Sequence, residues 1–165
     1  MNESHEDPSV EIRSSRGRRS LRFHSRSGDY FAASIEGDGP QATKRIWGYT
    51  DCEFLVQLFE SIASDWRGWQ GDRTWESIEH DLRLAIISRS TGQITILVTL
   101  RDYHEEQDWQ LTIPIFTEAG QLESIARQVA TFFASMRASF RTAAMPSDRP
   151  AENHFHDSPR LNEVG

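Results

Sequence analysis

A single cysteine, Cys52, among 165 residues excludes an intrachain disulfide and any cysteine-rich zinc site. That scarcity fits a reducing compartment and sets cytoplasmic residence as the expectation. Long apolar runs are missing too, since no stretch approaches the ~18 residues that a membrane span needs. The first 30 residues mix Arg with Glu around no apolar core, so neither a classical secretion signal nor membrane insertion is expected. The sequence contains no G-x-G-x-x-G, no Walker A loop, no H-E-x-x-H and no G-x-S-x-G, which lowers the expectation of an enzyme without removing it. No cofactor and no metal is implied. Repeats of 20 to 50 residues are absent as well, which excludes a solenoid.

Basic charge is scarce where it would matter for nucleic acid. The net charge is −7, and residues 31–118 alone hold 15 acids against seven bases, or −8. Both flanks are close to neutral. An acidic body repels phosphate backbones and argues against general nucleic-acid binding, which needs a basic footprint. It attracts basic partners, although acidity also serves solubility alone.

What is present is periodicity. Leu82, Leu84 and Ile86 alternate with polar or opposite-face neighbours, as do Ile94, Ile96, Val98 and Leu100, and Trp109, Leu111, Ile113 and Ile115. A period of two with one apolar face predicts half-buried antiparallel strands joined by short links. Pro114 has no N–H and places the last of them at an edge or bulge. Residues 73–79 are a fourth candidate strand, and residues 20–25, 29–35 and 41–47 are three shorter ones. Between the groups, Phe54, Leu55, Leu58, Phe59, Ile62 and Trp66 form a helical stripe, with Thr50 and Glu53 spaced as a capping box. A second helix over residues 121–140 carries Leu122, Ile125, Ala126, Val129, Phe133 and Met136. The order β-β-β-α-β-β-β-β-α predicts an α+β domain, one antiparallel sheet of six or seven strands with two helices on one face. Residues 1–18 and 142–165 lack either period and are expected to be a disordered arm and tail, leaving 19–141 as a single domain.

Candidate chemistry is scattered. His80 sits among Glu76, Glu79 and Asp81, but neighbours on a strand point to opposite faces and do not converge. Cys52 falls in the first turn of a helix, with no basic group placed beside it. Asp102, His104, Glu105, Glu106 and Asp108 cluster in one link between strands, an acidic loop lacking the ligand order of a calcium site. Of the five Trp, Trp75 and Trp109 are expected in the core. Trp69, between Gly68 and Gly71, is expected to be partly exposed, either anchoring a partner or closing the end of the sheet.

The run Trp66-Arg67-Gly68-Trp69-Gln70-Gly71, then Trp75-Glu76-Ser77, Leu82, the Thr91-Gly92 turn, Trp109 and Gly120-Gln121-Leu122 resembles an uncharacterised actinobacterial family, domain of unknown function 6228. The resemblance covers about residues 20–138. It implies a fold and no activity. The layout is similar to that of small acidic immunity proteins that guard bacteria against toxins.

The function these observations favour is a non-catalytic bacterial binding protein, in the immunity-type form an inhibitor of a basic toxin domain. Its expected partner is a protein, not nucleic acid or membrane, held by Trp69 as anchor and steered by the acidic residues 102–108. An alternative is an enzyme or small-ligand binder with a pocket between sheet and helices, lined by Trp47, Trp75, His80 and acids. A homodimer through an exposed sheet face is a third expectation.

Overall fold

The computed structural model describes residues 7–103 and 108–144. Eight strands and two helices follow one another as β1 (Val10–Arg13), β2 (Ser20–Ser27), β3 (Tyr30–Glu36), β4 (Ala42–Trp47), α1 (Asp51–Ser64), β5 (Asp72–Glu76), β6 (Leu82–Ser88), β7 (Gln93–Asp102), β8 (Trp109–Glu118) and α2 (Leu122–Ala144). The class is α+β, as the periodicity predicts. The strands do not form one sheet, however. They form two antiparallel four-stranded sheets, ordered β1-β2-β3-β4 and β5-β6-β7-β8. Alternation identifies a strand but not its neighbour, and α1 intervenes where a single sheet would have paired β4 with β5.

Residues 10–13 correct the reading of the N-terminal segment as a disordered arm. They pair with β2 in the register Val10↔Phe23 and Ile12↔Leu21, and both apolar side chains are buried. Two apolar residues at i and i+2 are too few to register as a period. Of the expected C-terminal tail, residues 142–144 belong to α2, and the remainder lies outside the described residues.

One core serves both sheets and both helices. From the first sheet it takes Leu21, Phe23, Phe31, Ile35 and Ile46, and from the second Leu84, Ile86, Ile96, Val98 and Ile115. The helices pack against each other, and α2 inserts Phe132 and Phe133 against the first sheet. Phe31 and Phe133 meet edge to face with centroids 4.9 Å apart, a favoured aromatic geometry. Arg26 of β2 donates to the Phe132 carbonyl and lies over the same ring, tying sheet to helix.

The sheets meet along two seams. At one, β1 approaches β8: the Ser15 N–H donates to the Phe116 carbonyl at 2.7 Å, and the Phe116 N–H donates to Ser14 Oγ at 3.2 Å. At the other, β4 approaches β7, and Lys44 crosses to Asp102 at 2.8 Å, with Asp81 at 4.0 Å. Pro114 sits within β8, the edge strand that its missing N–H predicts. Gly37 is obligatory for the β3–β4 turn: φ is +104°, and a Cβ there would lie 1.9 Å from the Arg18 carbonyl oxygen.

Helix α1 departs from its expected stripe. Leu55, Leu58, Phe59 and Ile62 are buried, but Val56 joins them and Phe54 does not. The buried face is therefore rotated away from Phe54. The capping box does not form, since Thr50 makes no side-chain cap bond. Instead Asp51 turns outward from the helix start. Its Oδ2 accepts the Ile78 N–H at 2.6 Å, and its carbonyl accepts the Trp75 indole N–H at 3.1 Å.

Candidate functional site

The second sheet has two functional-looking ends, and the residues expected to act together are divided between them. Trp69 lies in the α1–β5 link, facing Ile87, Ser88 and Arg89 where β6 ends. Ser88 pairs with Ile94 near the start of β7, whereas Asp102 pairs with Trp109 at its far end. Eight strand residues at about 3.3 Å each separate the two by roughly 26 Å. A single interface centred on both is not what the fold builds.

Asp102 differs from expectation in a second way. It is not in a loop but is the last residue of β7, buried against Lys44. The side chains of Lys44, Asp102 and Asp81 are only 16%, 11% and 3% exposed, so these charges face each other rather than solvent. The period of two explains why: Asp102 shares the inward face with Val98 and Leu100, and the seam between the sheets supplies its counter-ion. Asp108 is exposed. His104, Glu105 and Glu106 lie outside the described residues.

At that end of the sheet three large apolar side chains are exposed. Phe54, Ile78 and Tyr103 are 60%, 52% and 51% exposed. The Asp51 bond to Ile78 fixes the β5–β6 turn beside the first turn of α1, where Phe54 stands three residues further on. Arg101 extends the arrangement towards Tyr103. Its Nη1 donates to Glu76 at 2.6 Å and its Nε to Gln110 at 3.0 Å, while the Tyr103 hydroxyl donates to the same Gln110 oxygen at 3.4 Å. Glu79 and Asp108, both exposed, add negative charge around these apolar groups. Nothing in the sequence pattern flagged Ile78, and the helical stripe concealed Phe54.

His80 is not on a strand. It occupies the β5–β6 turn at φ +61°, largely exposed, with Nδ1 3.4 Å from Glu76 Oε1. Its position in a turn, rather than alternation, keeps it from converging with Asp81, which is buried. Trp75 is in the core at 7% exposure, and Trp47 stacks on Tyr49 with centroids 6.0 Å apart. Trp109 is half-buried against the core, as Trp69 is. Trp66, which directly follows the C-cap Asp65, is the Trp that projects furthest, at 55%.

Two further groups are chemically restrained. Burial pushes the Cys52 thiol up to about 11, so it is a neutral core group at physiological pH. His24 on β2 has Nε2 2.6 Å from Ser34 Oγ, which is 2.8 Å from Thr43 Oγ1, a polar line across three strands. Burial, and secondarily Arg22, lower its pKa. Among the described residues, no three of His, Cys, Asp and Glu are grouped to hold a metal ion. None of the described helices is long and apolar enough to cross a membrane.

The architecture is that of an α+β domain with two antiparallel sheets, a shared core and an acidic, apolar-tipped end. By sequence the chain belongs to DUF6228, a family of unknown function, which matches over residues 5–136 and so includes β1. No curated protein and no solved structure matches it.

Proposed function

We propose that this chain is a non-catalytic binding protein for a protein partner of basic surface, and that it acts as an immunity-type inhibitor of a basic toxin domain. The docking surface is the end of the molecule bearing Phe54, Ile78 and Tyr103. The observation that carries this reading is the exposure of Phe54 and Ile78 on two elements that Asp51 ties together, the start of α1 and the β5–β6 turn. Isolated exposed apolar residues are ordinary, but a fixed group of them with a charged rim has the anatomy of a hot spot. Asp51 supplies the support through its bond to the Ile78 N–H. Glu79 and Asp108 supply negative charge, which raises the association rate with a basic partner and discriminates against acidic ones. Inhibition then follows by steric occlusion and needs no catalytic group.

Site-specific photo-crosslinking tests the reading. A photoreactive phenylalanine analogue at position 54 should capture one basic protein in the native host. The same analogue at Ser124, exposed on α2, should not capture it. Ile78→Glu should abolish capture at position 54 while leaving the thermal transition in place. Equal capture at both positions, or capture of an acidic protein, would overturn the proposal.

A further inference from the structure

We infer that the cleft beside Trp69 is a separate binding site for a small molecule carrying an oxyanion, either a phosphate or a carboxylate. The α1–β5 link forms one wall with Arg67, Trp69, Gln70 and Asp72, and the β6–β7 hairpin forms the other with Ser88, Arg89 and Ser90. The cleft is open to solvent and has a volume of about 680 Å³, within the range of small-molecule sites.

Three features point to an anion. The first is charge: two Arg against one Asp line this cleft, while residues 31–118 as a whole carry −8. The second is the donor set. Gln70, Ser88 and Ser90 add neutral hydrogen-bond donors to the guanidinium groups of Arg67 and Arg89, the combination that charge-assisted recognition of oxyanions uses. The third is Trp69 itself. Its indole N–H is buried and meets no acceptor among the described residues. A buried donor left unsatisfied is destabilising, and because its nitrogen is closed to solvent a ligand oxygen would satisfy it once the indole turns toward the cleft.

The site is also built to stay open and in place. Arg73 lies 5.0 Å from the Trp69 ring centroid and is anchored to Asp65 at 2.5 Å, which fixes the indole from behind. The Gly68 N–H donates to the Asp65 carbonyl at 2.8 Å. Gly68 has φ +112°, and a Cβ there would come within 3.0 Å of Ser88 Oγ, so a side chain at this position would encroach on the opposite wall. The wall formed by the α1–β5 link coincides with the Trp-Arg-Gly-Trp-Gln-Gly run. The site stands at the opposite end of the sheet from Phe54 and Ile78, and does not depend on what docks there.

Titration by ¹H–¹⁵N NMR tests this with the intact chain, because each Trp gives one indole resonance and Trp69→Phe identifies its own by deletion. The probes are phenyl phosphate and benzoate, with sodium chloride at matched ionic strength as the control. Saturable movement of the Trp69 resonance with either probe is the expected result, and the tighter probe names the oxyanion. Arg67→Ser with Arg89→Ser should weaken binding by roughly tenfold or more, since two charge-assisted bonds are removed. Trp69→Phe, followed through backbone amides of residues 88–90, should weaken it several-fold while the thermal transition persists. No saturable response to either probe, an equal response to chloride, or unchanged affinity in the double Arg variant would overturn the inference.

Discussion

Lys44→Met should be among the most damaging single substitutions in this chain, and its cost can be reasoned from the seam between the sheets. Lys44 is the sole lysine and lies on the inward face of β4, paired in register with Ala33. Its Nζ is 2.8 Å from Asp102 and 4.0 Å from Asp81, with all three side chains at most 16% exposed. Methionine keeps most of the volume and removes the cation, leaving two buried carboxylates opposite it. Removing one partner of a buried ion pair costs roughly 3–5 kcal/mol. With a urea m-value of about 2 kcal/mol/M, the unfolding midpoint should fall by roughly 2 M. Neutralising both acids as well (Lys44→Met with Asp81→Asn and Asp102→Asn) should recover much of the loss. Urea titration followed by Trp fluorescence measures all of this. A loss below about 1 kcal/mol, or a triple variant no more stable than Lys44→Met, would refute the reasoning.

Other substitutions sort by the same logic. Trp75→Ala should cost about 3–5 kcal/mol and Trp66→Ala less than about 1, because the first ring is in the core and the second projects into solvent; comparable losses in denaturant titration would contradict that assignment. Gly37→Ala should be far more destabilising than Gly71→Ala, since both have positive φ but only at Gly37 does a Cβ meet backbone, the Arg18 carbonyl; thermal melts of the two variants decide it. Cys52 links stability to alkaline pH. The folded thiol ionises at about 11, above its value in the unfolded chain, so its contribution is complete below about pH 9. It should decline by roughly 2–3 kcal/mol as pH rises to 11, and Cys52→Ala should flatten that part of the stability profile.

The strands of the second sheet were legible because each sets its large aliphatic residues mainly on one face, even though Thr95, Thr99 and Ala85 of the other face are buried as well. Ile94, Ile96, Val98 and Leu100 alternate with residues of the opposite face, and the structure pairs them as β7 with β6 and β8. The partition into two sheets was not legible, since a hydrogen-bond partner leaves no mark on periodicity. Strand β1 escaped notice because its apolar content is just Val10 and Ile12. The acidic residues misled for a different reason. Composition weighs every carboxylate alike, whereas the fold commits Asp51 to a backbone N–H, Glu76 to Arg101, and Asp81 and Asp102 to Lys44. Of the residues proposed for partner binding, Trp69 and Asp108 occupy accessible positions at opposite ends of one sheet. The exposed pair Phe54 and Ile78 becomes apparent only when Asp51 is seen to bring a helix start and a turn together.

The seam between β1 and β8 has a consequence for how the chain comes to be folded as it is made. Ser14 and its partner Phe116 are 102 positions apart in sequence. At synthesis rates of about 5–20 residues per second, the first strand leaves the ribosome roughly 5–20 s before that partner exists. The first four strands can zip together by local hairpins in the meantime, but they do so with Val10 and Ile12 still awaiting the rest of the core. A nascent or prematurely terminated chain ending before β8 therefore presents an open strand edge next to uncovered apolar surface, the combination that favours association between unfinished chains. The eighth strand closes the edge, and α2, made last, covers the apolar surface of the first sheet.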